Sequence, residues 1–292
     1  MSKLYNIEVY SPKTLEEALE ILHMEKDKVK VIAGGTDLII QMKDGIIPRK
    51  NLLNIYSIEE LRYIRLDDGN IRIGALTTFT DIANSALVRN YAKVLAEAAG
   101  TVGSIQIMNK ATIGGNLVNA SPAADSIPPL YVLDAVLVLS SVEGIREIPI
   151  LDFYKGYKRL DLRDNELLTE IKLRIMSEDE DGVFLKHGLR LGDAISVVNA
   201  AILVKWSNDG KFKDVKIAMG AVAPTVVRAR SCEEALIGKK LDDSTIWDAA
   251  RKVIDDISPI DDIRGTAEYR REISVNLLYM GLWELINRRR GD

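Results

Sequence analysis

The chain has 292 residues, 47% hydrophobic and 28% charged, with 39 basic and 43 acidic side chains giving a formal net charge of −4. That length accommodates two domains of ordinary size, and the composition is that of a soluble folded protein. No basic excess exists to follow a phosphate backbone, which argues against a nucleic-acid partner.

The opening MSKLYNIEVYSPKTLEEAL has no apolar core between a basic region and a cleavage site, so no secretion signal is read there. Ser11-Pro12-Lys13-Thr14 precedes LEEALEIL, whose leucines recur at helical spacing, predicting a helix capped near Thr14. The short, β-branched VKVIAG predicts a strand. DLIIQMKDG follows as a helix that opens on an acidic residue and ends near Gly45. NLLNI and NIRIGAL read as strands, with IEELRYI as a short helical piece between them. Thr78-Phe79-Thr80-Asp81 caps the next predicted helix, DIANSALV, and YAKVLAEAAG continues the helical pattern.

The middle of the chain differs. Between Thr112 and Pro129, in TIGGNLVNASPAADSIPP, only Asp125 is charged, and small residues dominate. An ordinary surface loop carries more charge, so this segment reads as backbone packed closely against something else. AVLVLSS, REIPI and LDFYKGYK follow, and after about residue 175 the pattern becomes successive strands: GVFLKHGLRL, AISVVNAAILVKW and KFKDVKIAMGAV, with a turn at Asn208-Asp209-Gly210. The chain closes on helices in SCEEALIG, STIWDAARKVIDDI and AEYRREISVNLLYMGLWELINRRR. A boundary near 175 separates a mixed α+β domain from a smaller sheet covered by helices.

No apolar run approaches the roughly 18 residues needed to span a bilayer, which together with the absent signal gives a cytoplasmic expectation. The single cysteine, Cys232, excludes an intramolecular disulfide and a cysteine-ligated zinc or iron–sulfur site within the chain. Cys232 is expected to be buried and inert. His23 and His187 have no metal-ligand spacing, and His187 reads as a polar strand-end residue. The scarcity of Gln and Cys beside abundant charge leans towards a thermophilic source.

Two stretches invite chemistry. In VIAGGTDL, apolar residues run into Gly34-Gly35, where bare backbone and unpaired amides suit an anion and Thr36 adds a hydroxyl. Asp37 would repel a phosphate, so its carboxylate is expected to turn away onto helix or loop amides. Taken alone, this pair of glycines also reads as a plain strand-to-helix turn. Thr112-Ile113-Gly114-Gly115-Asn116 repeats the pattern about 80 positions later, and two such loops could clamp a diphosphate from both sides. There is no GxGxxG, no GxxxxGK[ST] and no GxSxG, so Rossmann binding, P-loop hydrolysis and serine-elbow catalysis lack support. A redox cofactor that carries its own reactivity fits so sparse a set of acid–base groups.

AGGTDL (Ala33–Leu38) together with TIGGNLVNASPAADSIPPL (Thr112–Leu130) closely resembles the FAD-binding medium subunit of the molybdenum hydroxylases. That family includes xanthine dehydrogenase, aldehyde oxidoreductases, nicotinate dehydrogenase and aerobic carbon monoxide dehydrogenase. PKTLEEAL, LDFYKGYK and FLKHGLRLGDAISVVNAA stand in the same order, so the resemblance spans essentially the whole chain. It implies an α+β fold: a vanillyl-alcohol-oxidase-like (PCMH-type) FAD-binding domain over 1–175, with subdomains of about 1–57 and 58–175. A C-terminal flavoprotein domain of a small sheet and helices follows over 176–292.

The resemblance also implies noncovalent FAD held by particular residues. Ile32, Ala33, Gly34, Gly35 and Thr36 would wrap the pyrophosphate, with Asp37 and Leu38 closing that loop. Ala111, Thr112, Gly115 and Asn116 would face it from the second side. Asn119, Ala124 and Asp125 would run along the ribityl chain and ring, with Asp125 hydrogen-bonding the cofactor. Val102 and Gly103 match a segment near the adenine side, and Leu162 and Lys186 match positions near the isoalloxazine. Lys186 would stabilise the anionic reduced ring, although it also reads as a solvated strand lysine. No catalytic residue and no metal ligand is assigned.

Partners follow from the same resemblance: a large molybdopterin subunit that hydroxylates substrate, and a small subunit with [2Fe–2S] clusters, as a heterotrimer or a dimer of heterotrimers. An external acceptor would take the electrons; its identity and the substrate are left open. The chain lacks the cysteine-bearing insertion of benzoyl-CoA-reducing members and any His or Cys in a glycine loop to tether flavin. A stand-alone flavin-dependent reductase of the same fold and a non-catalytic nucleotide-binding module are the other readings.

Overall fold

A computed structural model of the chain describes residues 7–291. The first six residues, part of the stretch read for a secretion signal, and Asp292 lie outside the described residues. Three principal sheets follow one another along the chain, each with its own helices, giving an α+β architecture.

The first sheet is small and parallel, with Asn51–Asn54 between Val9–Tyr10 and Val29–Ile32. Parallel neighbours need crossover connections, which the helices Leu15–Glu25 and Leu38–Lys43 provide. The Thr14 hydroxyl caps the first by accepting from the Glu17 amide at 3.2 Å, as the sequence predicts. Ala18 and Leu22 on its inner face pack with Val29, Leu53, Ile55 and Ile58.

The second sheet has five antiparallel strands in the order Ile64–Asp67, Asn70–Gly74, Leu167–Arg174, Val136–Ser141, Gly144–Pro149. The helices between Gly74 and Val136 pack with it around Phe79, Leu95, Ile113, Leu117 and Leu130. DIANSALV is two helices rather than one: Phe79–Asn84 ends at Ser85, whose hydroxyl then caps Ala86–Tyr91. IEELRYI supplies only one 3₁₀ turn, Glu59–Leu61, before the strand Ile64–Asp67.

The uncharged segment is the larger departure from the sequence reading. It is mostly helical, as Ile113–Asn119 and Ile127–Val132, and the second of these is buried throughout. Thr112 caps the first, and Ala120 ends it in the left-handed region at φ 52°. Small side chains here let backbone lie against the sheet: a Cβ added to Gly114 would fall 2.7 Å from the Ala75 Cβ.

The third sheet is an antiparallel run of Glu180–Gly188, Ser196–Trp206, Phe212–Gly220 and Val227–Arg228. Arg230–Leu236, Asp243–Arg251 and Ala267–Arg290 cover one face, forming a core with Val198, Ile202, Leu278 and Leu282. Its other face contributes Phe184, Ala201, Leu203 and Ala218 to the core of the second sheet. Cys232 lies fully buried in the third core, and burial pushes its thiol up to about 12, which suits an inert small hydrophobe. Among the described residues no helix is long and apolar enough to cross a membrane.

One contact joins the first sheet to the second unit at backbone level. A Cβ built on Gly34 would stand 1.9 Å from the Lys110 carbonyl oxygen and 3.2 Å from the Ala111 Cα. Gly34→Ala should therefore lower unfolding stability by about 2 kcal/mol, because backbone must move to admit the methyl. Chemical denaturation checks this, and an unchanged midpoint would mean that the two segments do not pack so closely.

Candidate functional site

The Gly34 contact sets the Ala33–Leu38 turn directly against the Ala111–Asn116 turn. Gly35 adopts φ +74°, and its carbonyl accepts from the Ile39 amide at 3.3 Å to start the next helix. Thus the two glycines of the first loop have different tasks: Gly34 permits the close approach, and Gly35 permits the turn. The Ile32 carbonyl, at the strand end, accepts from the Ile55 amide at 3.0 Å and fixes where the loop departs.

The loops are unequal in what they offer. Among the described residues, the amides of Gly34, Gly35 and Thr36 donate to no protein acceptor. In the second loop the amides are used internally: Ile113 donates to Thr77, Gly114 to Ala75, Gly115 to the Thr112 hydroxyl and Asn116 to the Thr112 carbonyl. What remains there is side-chain chemistry. The Thr112 hydroxyl accepts from Gly115 at 3.2 Å with its own proton still to give, and Asn116 Oδ1 accepts from Ser126 at 2.7 Å, leaving its amide donors. Gly115 presents bare backbone: a Cβ there would meet only Thr112 Oγ1 at 2.9 Å and the Ala33 Cβ at 3.9 Å. The expected symmetrical amide clamp is instead one loop of free amides facing one loop of side-chain donors.

Asp37 departs from expectation as well. Its carboxylate makes no capping bond to the helix Leu38–Lys43. Burial pushes it up, and its offsetting partner is Lys158 on the tip of the Tyr154–Gly156/Arg159–Leu160 hairpin. Lys158 in turn is pulled down by burial and held up by Asp37. The Lys158 ammonium donates to the Asn119 carbonyl and, at 3.3 Å, to Asn119 Oδ1, which also accepts from Gln41 Nε2 at 3.0 Å. Gln41 and Lys158 were missed by sequence reasoning; no local motif marks either, because both arrive by tertiary folding.

A second cluster sits where the two larger units meet. Asp125 Oδ2 accepts from Lys186 Nζ at 2.6 Å, while Oδ1 accepts from Ser196 Oγ at 2.6 Å and Asn199 Nδ2 at 2.7 Å. Lys186 also donates to the Thr101 carbonyl at 2.8 Å. Both Asp125 and Lys186 are nearly buried, so Lys186 is not a solvated strand lysine. Val102 is buried next to Thr101, and the Gly103 carbonyl accepts from the Asp193 amide at 3.2 Å. Ala124 is buried beside Asp125, and Leu162 is half-buried against the same core. The fold therefore gathers Ile32–Leu38, Ala111–Asn116 and Asn119 into one group. Val102–Gly103, Ala124–Asp125 and Lys186 form a second, linked to the first through Asn116–Ser126.

His187 alternates away from Lys186, with Nε2 2.8 Å from the Tyr269 hydroxyl. The site thus contains open amides, hydroxyl and amide donors and cations, with Asp125 held by Lys186 and no histidine or cysteine among these residues. That chemistry holds an anionic cofactor rather than breaking a bond by itself.

With this geometry in place, comparison with known proteins is specific. Residues 5–173 match the family described as FAD binding domain in molybdopterin dehydrogenase, and 184–285 match the CO dehydrogenase flavoprotein C-terminal domain. Over 262 residues the chain is 36% identical to the glyceraldehyde dehydrogenase medium chain of Sulfolobus acidocaldarius, covering 89% of this chain and 92% of that relative. The nicotinate dehydrogenase FAD-subunit of Eubacterium barkeri is 35% identical over 271 residues, covering 91% and 92%. Among solved structures, carbon monoxide dehydrogenase from Hydrogenophaga pseudoflava superposes with a TM-score of 0.91 at 30% identity, covering 95% of this chain and 96% of that one.

Removing Asp125 would strand the Lys186 ammonium in a nearly buried setting. Asp125→Ala should destabilise the protein by about 3 kcal/mol or more in urea unfolding. A loss within experimental error would show that the pair does not hold the two units together.

Proposed function

The chain belongs to the family of FAD-binding domains of molybdopterin dehydrogenases, and from that premise we propose that it serves as the electron-transferring flavin subunit of a multisubunit molybdenum hydroxylase. In this reading it takes electrons from [2Fe–2S] clusters of a small partner subunit and passes them to an external acceptor. A large molybdopterin subunit chooses and hydroxylates the substrate. The observation that carries the reading is the meeting of the free Gly34–Thr36 amides with the bare Gly115 face, inside the region matched to the FAD-binding family.

The residues present fit FAD. The Gly34, Gly35 and Thr36 amides would hold the diphosphate, and Gly115 would admit it without a side chain in the way. Thr112 and Asn116 would donate from the opposite wall, with Ile32, Ala33, Leu38 and Ala111 shaping the loop ends. Asn119 and Ala124 would continue along the cofactor, with Val102, Gly103 and Leu162 as its apolar surroundings. Asp125, whose carboxylate is engaged by Lys186, Ser196 and Asn199, would act by positioning Lys186 near the ring rather than by binding the cofactor itself. Bound FAD supplies the redox chemistry, exchanging electrons singly or in pairs; the chain holds it, orients it and limits water around it.

The proposed division of labour follows the boundary near 175, with subdomains meeting near 57 and the C-terminal unit closing over the second cluster. The single cysteine cannot ligate an iron–sulfur cluster, which agrees with clusters residing on a partner. A cytoplasmic heterotrimer, alone or as a dimer of heterotrimers, is the assembly proposed. Purification from its source should yield a yellow protein with heat-releasable FAD, together with a molybdopterin chain and an iron–sulfur chain. A colourless protein that takes up no FAD would defeat the reading, and a flavoprotein that purifies alone would favour a stand-alone reductase.

A further inference from the structure

A diphosphate brings about two negative charges, and neither glycine loop contains a lysine or arginine. The first loop instead carries a carboxylate, Asp37, which by itself disfavours an anion. Positive charge brought from another part of the fold would offset both.

The hairpin Tyr154–Gly156/Arg159–Leu160 brings it. Its base is fixed by Arg146, which donates to Glu166 at 2.6 and 2.8 Å and to Asp161 Oδ1 at 3.0 Å. Its first strand is tied to the Ile113–Asn119 helix by the Tyr154 hydroxyl, which donates to the Leu117 carbonyl at 3.1 Å. At the tip, Lys158 takes φ +56°, and its ammonium lies over the far end of that helix on the Asn119 carbonyl and Oδ1. Lys158 therefore anchors on the helix that the second loop begins, at its Asn119 end, and its charge acts on Asp37, which closes the first loop.

Electrostatics agree with that placement. Asp37 and Lys158 remain accessible to water, yet partial burial perturbs both. Lys30 acts on Lys158 as a second nearby positive charge. The Asp37 and Lys158 charges thus favour each other's ionised form through space, without a direct ion pair between them.

We propose that Lys158 is the cationic arm of the FAD diphosphate site, held in place by Asn119 and supplied from outside both glycine loops. This rests on the flavin reading above and names a residue that reading does not include. An ammonium on a phosphate oxygen is a charge-assisted bond, so its loss is expected to weaken binding by roughly 10- to 100-fold. Lys158→Arg keeps the charge on a side chain of similar length and should retain most of the affinity.

The test is calorimetric titration of flavin-depleted protein with FAD, with ADP and with riboflavin, for the wild type, Lys158→Met and Lys158→Arg. Lys158→Met should lose affinity for FAD and ADP, which share the diphosphate, while riboflavin binding and the unfolding midpoint stay at wild-type values. Equal FAD affinity in wild type and Lys158→Met would overturn the role of Lys158 and leave the flavin reading standing. An equal loss for riboflavin, or a loss that Lys158→Arg does not restore, would also overturn it, showing a structural role instead. A wild-type protein that binds none of the three would remove the flavin reading, and the inference with it.

Discussion

Gly34 packs its Cα against the carbonyl of Lys110 so closely that no side chain fits between them. Two segments nearly eighty residues apart are thereby held at backbone distance, one leaving a parallel sheet and the other entering a helix against an antiparallel sheet. Everything proposed for the site depends on this approach. Without it, the free amides of the first loop would face solvent, and Thr112, Gly115 and Asn116 would have nothing opposite them. The contact also explains why two glycines are needed in succession: Gly34 is required for space and Gly35, at φ +74°, for direction.

Around that joint the molecule divides its polar groups by task. Amides of the second loop are used to build the fold, through Thr77, Ala75 and Thr112. Amides of the first loop are left unpaired, which is costly unless water or a ligand satisfies them. Charge arrives from elements remote in sequence: Lys158 from a hairpin beyond the second glycine loop, and Lys186 from the third sheet. The Asp125 cluster binds that sheet to the end of the uncharged segment. Neither cluster contains a histidine or a cysteine, which suits a member of the FAD-binding family.

Much of this was legible in the sequence, for local reasons. Thr14 and Thr78 announced helix starts because a hydroxyl three residues before an acidic or amide-bearing position caps without tertiary help. The alternating and β-branched runs after residue 180 gave the third sheet, and the family resemblance carried by the two Gly-Gly motifs gave the cofactor class. What stayed hidden depends on contacts distant along the chain. Composition showed that 112–129 packs closely but not that it is helical, because the Thr112 cap of one helix and the Pro-rich first turn of the other outweigh poor helix formers there. Asp37 was expected on nearby amides, but it caps no helix amide, and the charge that offsets its burial, Lys158, lies more than a hundred residues away in sequence. Asp125 was expected to hydrogen-bond the cofactor; its bonds to Ser196, Asn199 and Lys186, all remote in sequence, could not be read from any local motif.

The central claim is that one loop offers free amides while the other has already used its own. Hydrogen–deuterium exchange with and without FAD tests it most directly. The account predicts fast exchange at Gly34, Gly35 and Thr36 in flavin-depleted protein and marked protection on adding FAD, with Ile113–Asn116 already slow and little changed. Protection appearing mainly at Ile113–Asn116, with Gly34–Thr36 unaffected, would contradict it.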